Sequence, residues 1–265
     1  MEFSAALSLD YDPVLPFALE RDYGAPQDLK RLVRALHDAG IAVLIDVVFN
    51  HLDVSIGNGP PLPYSLFQYD GFGSDPCGIF FYGGDEMNTP FGGPRPNYGR
   101  PAVLRFLRDN AAMWLEEYEV DGLRFDSTGC IRKRQGPCGD HCCGNDIGVE
   151  RNLGWEMMQD IDDYVDGSQP WKLLVAEDLD GNAAITAATS SRGAGFDAQW
   201  DPGLQGALVG AITQASDADV NVDSDVNDFG SVDSFDTTAG AGGYDGMPFS
   251  GTVGIGPYSL IVLGR

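Results

Sequence analysis

The chain has 265 residues, enough for one large domain with a substantial core, and carries a formal net charge of -24 at pH 7. Lysine occurs only at Lys30, Lys133 and Lys172, and no lysine or arginine lies between Arg192 and Arg265. A nucleic-acid partner, which needs clustered cations, is not expected, whereas neutral polyols such as sugars are compatible. No apolar stretch reaches the roughly eighteen residues that cross a membrane, and residues 1–20 lack the features of a secretion signal, so the expectation is a cytoplasmic protein with no membrane partner.

In chain order, the first clear unit is PQDLKRLVRALHDAG at 26–40, where Leu29, Leu32, Val33 and Leu36 recur at helical spacing and Gly40 suits the C-cap. IAVLIDVVFNH at 41–51 is apolar and β-branched until its C-terminal end, as in a parallel strand covered on both faces. Residues 51–100 then run through Gly, Pro and the aromatics Tyr64, Phe67, Tyr69, Phe80, Phe81, Tyr82 and Tyr98. A loop of that length is unusual unless functional. The preferred reading is an excursion whose aromatic faces form a substrate wall for sugar rings; the other is a satellite apolar cluster that holds the loop down.

A second helix is predicted at 101–119, with Pro101 in its first turn and Val103, Leu104, Leu107, Ala111, Trp114 and Leu115 on its apolar side. The strand VDGLRFD follows at 120–126, a helix around 151–165, the strand WKLLVAED at 171–178, a shorter helix near 182–190 and GFDAQWD at 195–201. Four helix-then-strand units predict an α/β fold with right-handed crossovers and a parallel sheet. A barrel and a doubly wound sheet share that alternation. Residues 215–243 contain seven aspartates and no positive charge, the composition of a flexible linker, and GTVGIGPYSLIVLGR at 251–265 reads as strand, turn, strand.

Chemistry-bearing residues gather at three strand ends: Asp46, Asn50 and His51; Arg124 and Asp126; Glu177 and Asp178. Alternation places Arg124 and Asp126 on one face of their strand. An arginine beside an aspartate keeps it ionised and oriented, as a carboxylate nucleophile requires, and the same pair also serves as a structural ion pair. Glu177 emerges directly from LLVA, where burial would favour the protonated form and suit it to donate a proton. An ionised and a protonated carboxylate about 5 Å apart are the equipment of a retaining glycosidase or transglycosylase. His51 is suited either to a sugar hydroxyl or to a structural role.

These strand ends carry a resemblance. DVVFNH (46–51), DGLRFDST (121–128) and VAEDL (175–179) resemble, in order and spacing, three of the four signature regions of the α-amylase superfamily, glycoside hydrolase family 13. Within it, residues 11–51 and 97–126 resemble the glycogen branching enzyme and malto-oligosyltrehalose trehalohydrolase side. The resemblance implies a partial TIM (β/α)8 barrel with strands like the third to the sixth, and a remnant of a C-terminal β domain. It implies Asp126 as nucleophile, Glu177 as general acid/base, Arg124 as the residue that positions the nucleophile, His51 as a substrate contact and Asp46 as a brace for Arg124. Asn50 matches a calcium ligand of some relatives; no cofactor is required, and calcium stays open. The implied partner is an α-glucan or malto-oligosaccharide.

The fourth signature region, an asparagine or serine followed by His-Asp, is not found among the 265 residues. The domain expectation is a partial catalytic barrel at 1–210 including the loop excursion 51–100, an acidic flexible linker at 211–243, and a β-strand remnant at 244–265. Two functions are carried forward. One is a hydrolase or transglycosylase acting on α-1,4-glucans, branching enzyme-like, by retaining double displacement. The other is a catalytically inactive fragment or carbohydrate-binding protein derived from that family, the product of a fragmentary or misassembled gene. The five cysteines lie between 77 and 143. For Cys130, Cys138, His141, Cys142 and Cys143, ordinary loop thiols are expected ahead of a disulfide or a zinc site.

Overall fold

The computed structural model describes residues 2–3, 11, 13–52, 78–134, 136, 142, 144, 152–200, 203, 240–244 and 247–250. The chain divides into two compact units, Met1–Asp201 with Gly264–Arg265, and Pro202–Leu263. The first unit opens with β1 (Glu2–Phe3) paired antiparallel to β2 (Pro13–Leu15).

Helix α1 (Pro26–Asp38) begins where Asp28 reaches back to accept the Ala25 N–H at 2.7 Å. It ends at Gly40, whose φ of 75° allows the Ile41 N–H to bond Leu36 O at 2.9 Å. Strand β3 (Leu44–Val47) follows. Helix α2 (Pro101–Ala112) runs on into a π-helical turn, Met113–Glu117, and leads to β4 (Gly122–Phe125). A short helix α3 (Thr128–Arg132) leaves the end of β4. Helix α4 (Leu153–Ser168), capped by the Asn152 side chain on the Trp155 N–H, leads to β5 (Leu173–Ala176), and β6 (Ala198–Gln199) completes the set.

The order β3-β4-β5-β6 is parallel throughout, so the polar residues that follow each strand emerge along one edge. A parallel sheet flanked by helices agrees with a partial α/β barrel. Its centre is β4, buried on both faces. A Cβ on Gly122 would run into the Leu173 carbonyl, so only glycine permits the approach of β4 to β5. Phe125 meets Phe49 and Phe196 edge-on, with centroids 5.3 and 5.0 Å apart. Leu107, Trp114 and Leu115 from the second helix and Met157, Ile161 and Val165 from α4 fill the core around them.

Three expectations change. The strand expected at 41–51 to be covered on both faces is shorter, and Leu44 is 40% exposed, because β3 is the sheet's edge among the described residues. For the same reason Leu32 of α1 is 55% exposed and lines, with Leu29, Ile45 and Tyr11, a cavity of ≈ 460 Å³. The helix expected near 182–190 does not form. The Asn182 side chain takes the Ala184 N–H at 3.0 Å and its carbonyl takes the Ile185 N–H at 3.0 Å, a turn that competes with helix, and only the 3-10 turn Thr189–Ser191 follows.

Of the two readings of the aromatic loop, Phe80, Phe81, Tyr82 and Tyr98 follow the second: they are packed in the core and form no substrate wall. Tyr98 donates its hydroxyl to Phe49 O at 2.8 Å and pins that segment under the sheet. Tyr64, Phe67 and Tyr69 lie outside the described residues. In the second unit, β7 (Gly240–Tyr244) pairs antiparallel with β8 (Met247–Ser250). The remainder of the expected linker at 211–243, and the tail 251–265, fall outside the described residues.

Asp162 on α4 is buried, and its carboxyl packs against Gly195, which holds a positive φ of 97°. Burial, then the charges of Asp166, Asp163 and Asp197, push its pKa up to about 7. The folded state therefore holds this proton more tightly than the unfolded state, where a carboxyl titrates at 3.8. This contribution to stability falls as pH rises from that value through about 7. Asp162→Asn should melt above the parent at pH 8, keep less of that advantage at pH 5 and lose it toward pH 4. Parallel melting curves at pH 8 and pH 4 would contradict this.

Candidate active site

The strand register builds the site. Asp46 of β3 pairs in register with Arg124 of β4, and Arg124 with Val175 of β5. Arg124 points out of the sheet with its side chain 8% exposed and meets three carboxylates. Its Nη1 donates to Asp46 Oδ2 and to Asp126 Oδ1, each at 3.0 Å, and its Nη2 pairs with Glu177 Oε2 at 2.7 Å. Burial alone would weaken the guanidinium's hold on its proton, but the carboxylates reverse this and the pKa rises. Its Nε is buried without a hydrogen-bond partner.

Two aromatics flank the guanidinium. Trp200, just beyond β6, lies with its ring centroid 4.5 Å from it, and Tyr11 at 5.8 Å. The Tyr11 hydroxyl donates to Asp46 Oδ2 at 2.7 Å, and this bond, with burial and the Asp46 charge, pushes its pKa up to about 12. Both rings remain partly open to solvent, Trp200 at 48% and Tyr11 at 39%.

The Asn50 amide donates to Asp126 O and Asp126 Oδ2, both at 2.9 Å. Asp126 is thus held by Arg124 at one oxygen and by Asn50 at the other. His51 donates from Nδ1 to Asn50 Oδ1 at 2.5 Å and stacks on Phe91 with centroids 5.0 Å apart. The Asn50 side-chain oxygen is therefore committed to His51, and a calcium ion there would compete with that bond. Among the described residues no three His, Cys, Asp or Glu side chains cluster as a metal site.

Glu177 follows β5 and is gripped from α3. The Ser127 N–H donates to its Oε2 at 2.8 Å, and the Thr128 N–H to its carbonyl at 2.9 Å. Ser127 adopts a positive φ of 42°, which turns these successive N–H groups toward the end of β5. Burial raises the Glu177 pKa, and neighbouring Asp126 raises it further; the Ser127 N–H and Arg124 oppose the shift without cancelling it. Beneath it, Asp178 is fully buried and bound by Arg132 at 3.0 to 3.2 Å.

Of the seven residues singled out at the strand ends, the structure brings together six, Asp46, Asn50, His51, Arg124, Asp126 and Glu177, while Asp178 is bound to Arg132 of α3 instead. Sequence reasoning missed Tyr11, Trp200, Thr128 and Arg132. Trp200 had a signal, since it lies at the C-terminal end of the predicted strand 195–201, the place on a strand where the other chemistry-bearing residues also sit. Tyr11 precedes every predicted element, and its one signal was its place at the start of the stretch 11–51.

The expectation of ordinary loop thiols is corrected for two cysteines: Cys130 of α3 and Cys142 form a disulfide. The chain returns past α3 there, because Arg95, fully buried, ties Cys130 O and Lys133 O together at 2.8 Å each and lies 3.8 Å from Cys142 Sγ. Cys138, His141 and Cys143 lie outside the described residues.

Fold and site define an α/β protein with a carboxylate–arginine cluster along one edge of a parallel sheet. Comparison with known proteins places its likeness at the level of a superfamily. The chain is 34% identical over 198 residues to the 1,4-alpha-glucan branching enzyme GlgB of Lactobacillus acidophilus, covering 74% of this chain and 30% of the relative. It is 31% identical over 212 residues to the 1,4-alpha-glucan-branching enzyme of Yarrowia lipolytica (74% and 29%). It is 30% identical over 230 residues to that of Felis catus (84% and 31%). The chain spans about 30% of the length of these curated relatives. No family model matches it.

Replacing Cys130 and Cys142 by serine should lower stability by about 2–3 kcal/mol in urea unfolding, the effect of opening a short disulfide loop. In the denatured parent without reductant, at most three of the five cysteines should react with a thiol reagent. Five reactive thiols would contradict the disulfide.

Proposed function

We propose that this chain carries catalytic residues of a glycoside hydrolase or transglycosylase acting on α-1,4-glucans, branching enzyme-like, by retaining double displacement. The observation that supports the reading is Arg124 holding Asp126 on one nitrogen and Glu177 on the other, at the ends of adjacent parallel strands. Similarity to branching enzymes supports the substrate class.

In this reading Asp126 attacks the anomeric carbon while Glu177, protonated, gives its proton to the departing glycosidic oxygen. The C–O bond breaks as the bond from the Asp126 carboxylate forms, leaving a β-glycosyl ester. Glu177, now ionised, takes a proton from water or from an acceptor sugar hydroxyl, which attacks the same carbon and frees Asp126 with α-configuration restored. Arg124 and Asn50 keep Asp126 aimed, one on each carboxylate oxygen. Desolvation beside Asp126 favours the protonated Glu177 that the first step needs. His51 contacts the sugar, and Trp200 and Tyr11 present faces on which a ring stacks.

The alternative, an inactive carbohydrate-binding protein, draws on the missing His-Asp signature. Product analysis of malto-oligosaccharides separates the two. Asp126→Asn should abolish products, and Glu177→Gln should reduce their rate by about 100-fold or more. Because the acid form of Glu177 is required and its pKa is raised, the rate should fall as pH rises through that raised value. New α-1,6 linkages would mark branching, and free reducing ends without them hydrolysis. Products unchanged in Asp126→Asn, or none from the folded parent, would overturn the enzymatic reading.

A further inference from the structure

Asp178 is the most deeply buried acid beside the site, and the reaction above does not use it. Arg132 binds both of its oxygens, Nη2 to Oδ1 at 3.1 Å and to Oδ2 at 3.0 Å, with Nε on Oδ2 at 3.2 Å. Both side chains are closed to solvent, at 6% and 0% exposure. The Thr128 hydroxyl lies between this pair and the acid/base, 3.1 Å from Asp178 Oδ2 and 2.9 Å from Glu177 O, so its single proton serves one or the other. Arg132 also meets Asp180 at 2.7 Å, as does Lys133 at 2.6 Å.

The placement is specific. Asp178 follows Glu177 directly, and Arg132 and Thr128 sit on the short helix whose first N–H groups grip Glu177. The same two elements, the end of β5 and α3, therefore meet twice: once through Glu177 and once through Asp178. An ion pair at this depth is a poor source of stability, since the desolvation of two charges offsets most of their attraction. Its position next to an ionisable group whose proton matters gives it another use.

We propose that the Arg132–Asp178 pair is a positioning device for Glu177: it fixes the turn from which the Glu177 carboxyl projects and gives that carboxyl a neutral flank. The inference rests on the reading of Glu177 as acid/base. Glu177 faces Arg124 and Asp126 from β4 and its end, with Asp46 of β3 behind Arg124. On the α3 side, which Glu177 meets through the Ser127 N–H and through Thr128, the charges of Arg132 and Lys133 are met by Asp178 and Asp180. Arg124 sets the attraction on one side, and the pair keeps the other side electrically silent.

Removing one member should therefore move the Glu177 titration in a direction fixed by the charge left behind. The experiment is a 13C NMR titration of the full chain with labelled glutamate carboxyls, Glu177 being assigned by the signal lost in Glu177→Gln. Arg132→Met leaves Asp178 uncompensated and should raise the Glu177 midpoint by about one pH unit or more. Asp178→Asn leaves Arg132 in excess and should lower it. The double variant Arg132→Met/Asp178→Asn restores a neutral flank and should return the midpoint to within about half a unit of the parent.

Midpoints that shift the same way in both single variants, or not at all, would overturn the proposal. If Arg132→Met does not fold, the other two decide it: no downward shift in Asp178→Asn, or a double variant displaced as far as Asp178→Asn, overturns it equally. The titration needs no turnover. Midpoints moving as described in a chain that makes no product would sink the proposed activity and leave the positioning role standing.

Discussion

One guanidinium organises the first unit. Arg124 is largely buried and faces three carboxylates, so the cluster holds three negative charges against one positive unless a proton is added. Arg124, Asp126 and Glu177 are largely shielded from solvent, and the protein supplies the compensation itself. The Tyr11 hydroxyl and the Asn50 amide donate to Asp46 and Asp126, the Ser127 N–H donates to Glu177, and Glu177 shifts toward its protonated form. Asp46 is half open to solvent and contributes least. The protonated acid of the proposed reaction follows from that imbalance.

The imbalance is sustained by backbone geometry. Parallel register sets Asp46 beside Arg124, and glycine at 122 lets β4 approach β5 closely enough for Arg124 to reach Glu177. At the end of β4 the chain turns through Ser127 in a left-handed conformation, a strain of order 1 kcal/mol or more for a residue with a side chain. The turn delivers the Ser127 and Thr128 N–H groups to Glu177. Arg132, the Cys130–Cys142 disulfide and buried Arg95 then hold α3, so the site's acid side is braced by three contacts to one short helix.

Much of this was legible in the sequence, and the failures are informative. The strand LLVA was readable because a central parallel strand is apolar, GLRF because Arg124 alone interrupts its apolar run, and further chemistry follows both at their C-terminal ends. The helix beginning at Pro101 was readable from its apolar stripe, but the π-helical turn that closes it was not, since periodicity does not report a one-residue insertion. The helix near 182 failed because Asn182 folds back on its own backbone. Phe80, Phe81, Tyr82 and Tyr98 were assigned to a binding wall on composition, which cannot tell an aromatic that faces solvent from one beneath a sheet. Trp200 and Tyr11 join the site through a cation, a contact that alternation along one strand does not reveal.

The dependence on Arg124 is tested most directly by the stability of Arg124→Met across pH. With the guanidinium gone, Asp126 and Glu177 share a poorly hydrated space, and the variant should lose about 3–5 kcal/mol at pH 7. Their proton affinities rise above those of the unfolded chain, so the deficit should shrink as pH falls toward 4 and the carboxyls neutralise. Urea unfolding of parent and variant at several pH values reads this directly. A deficit at pH 7 that narrows on acidification is the predicted result. A variant as stable as the parent at pH 7, or equally weakened at every pH, would contradict the claim that one buried cation holds the site together.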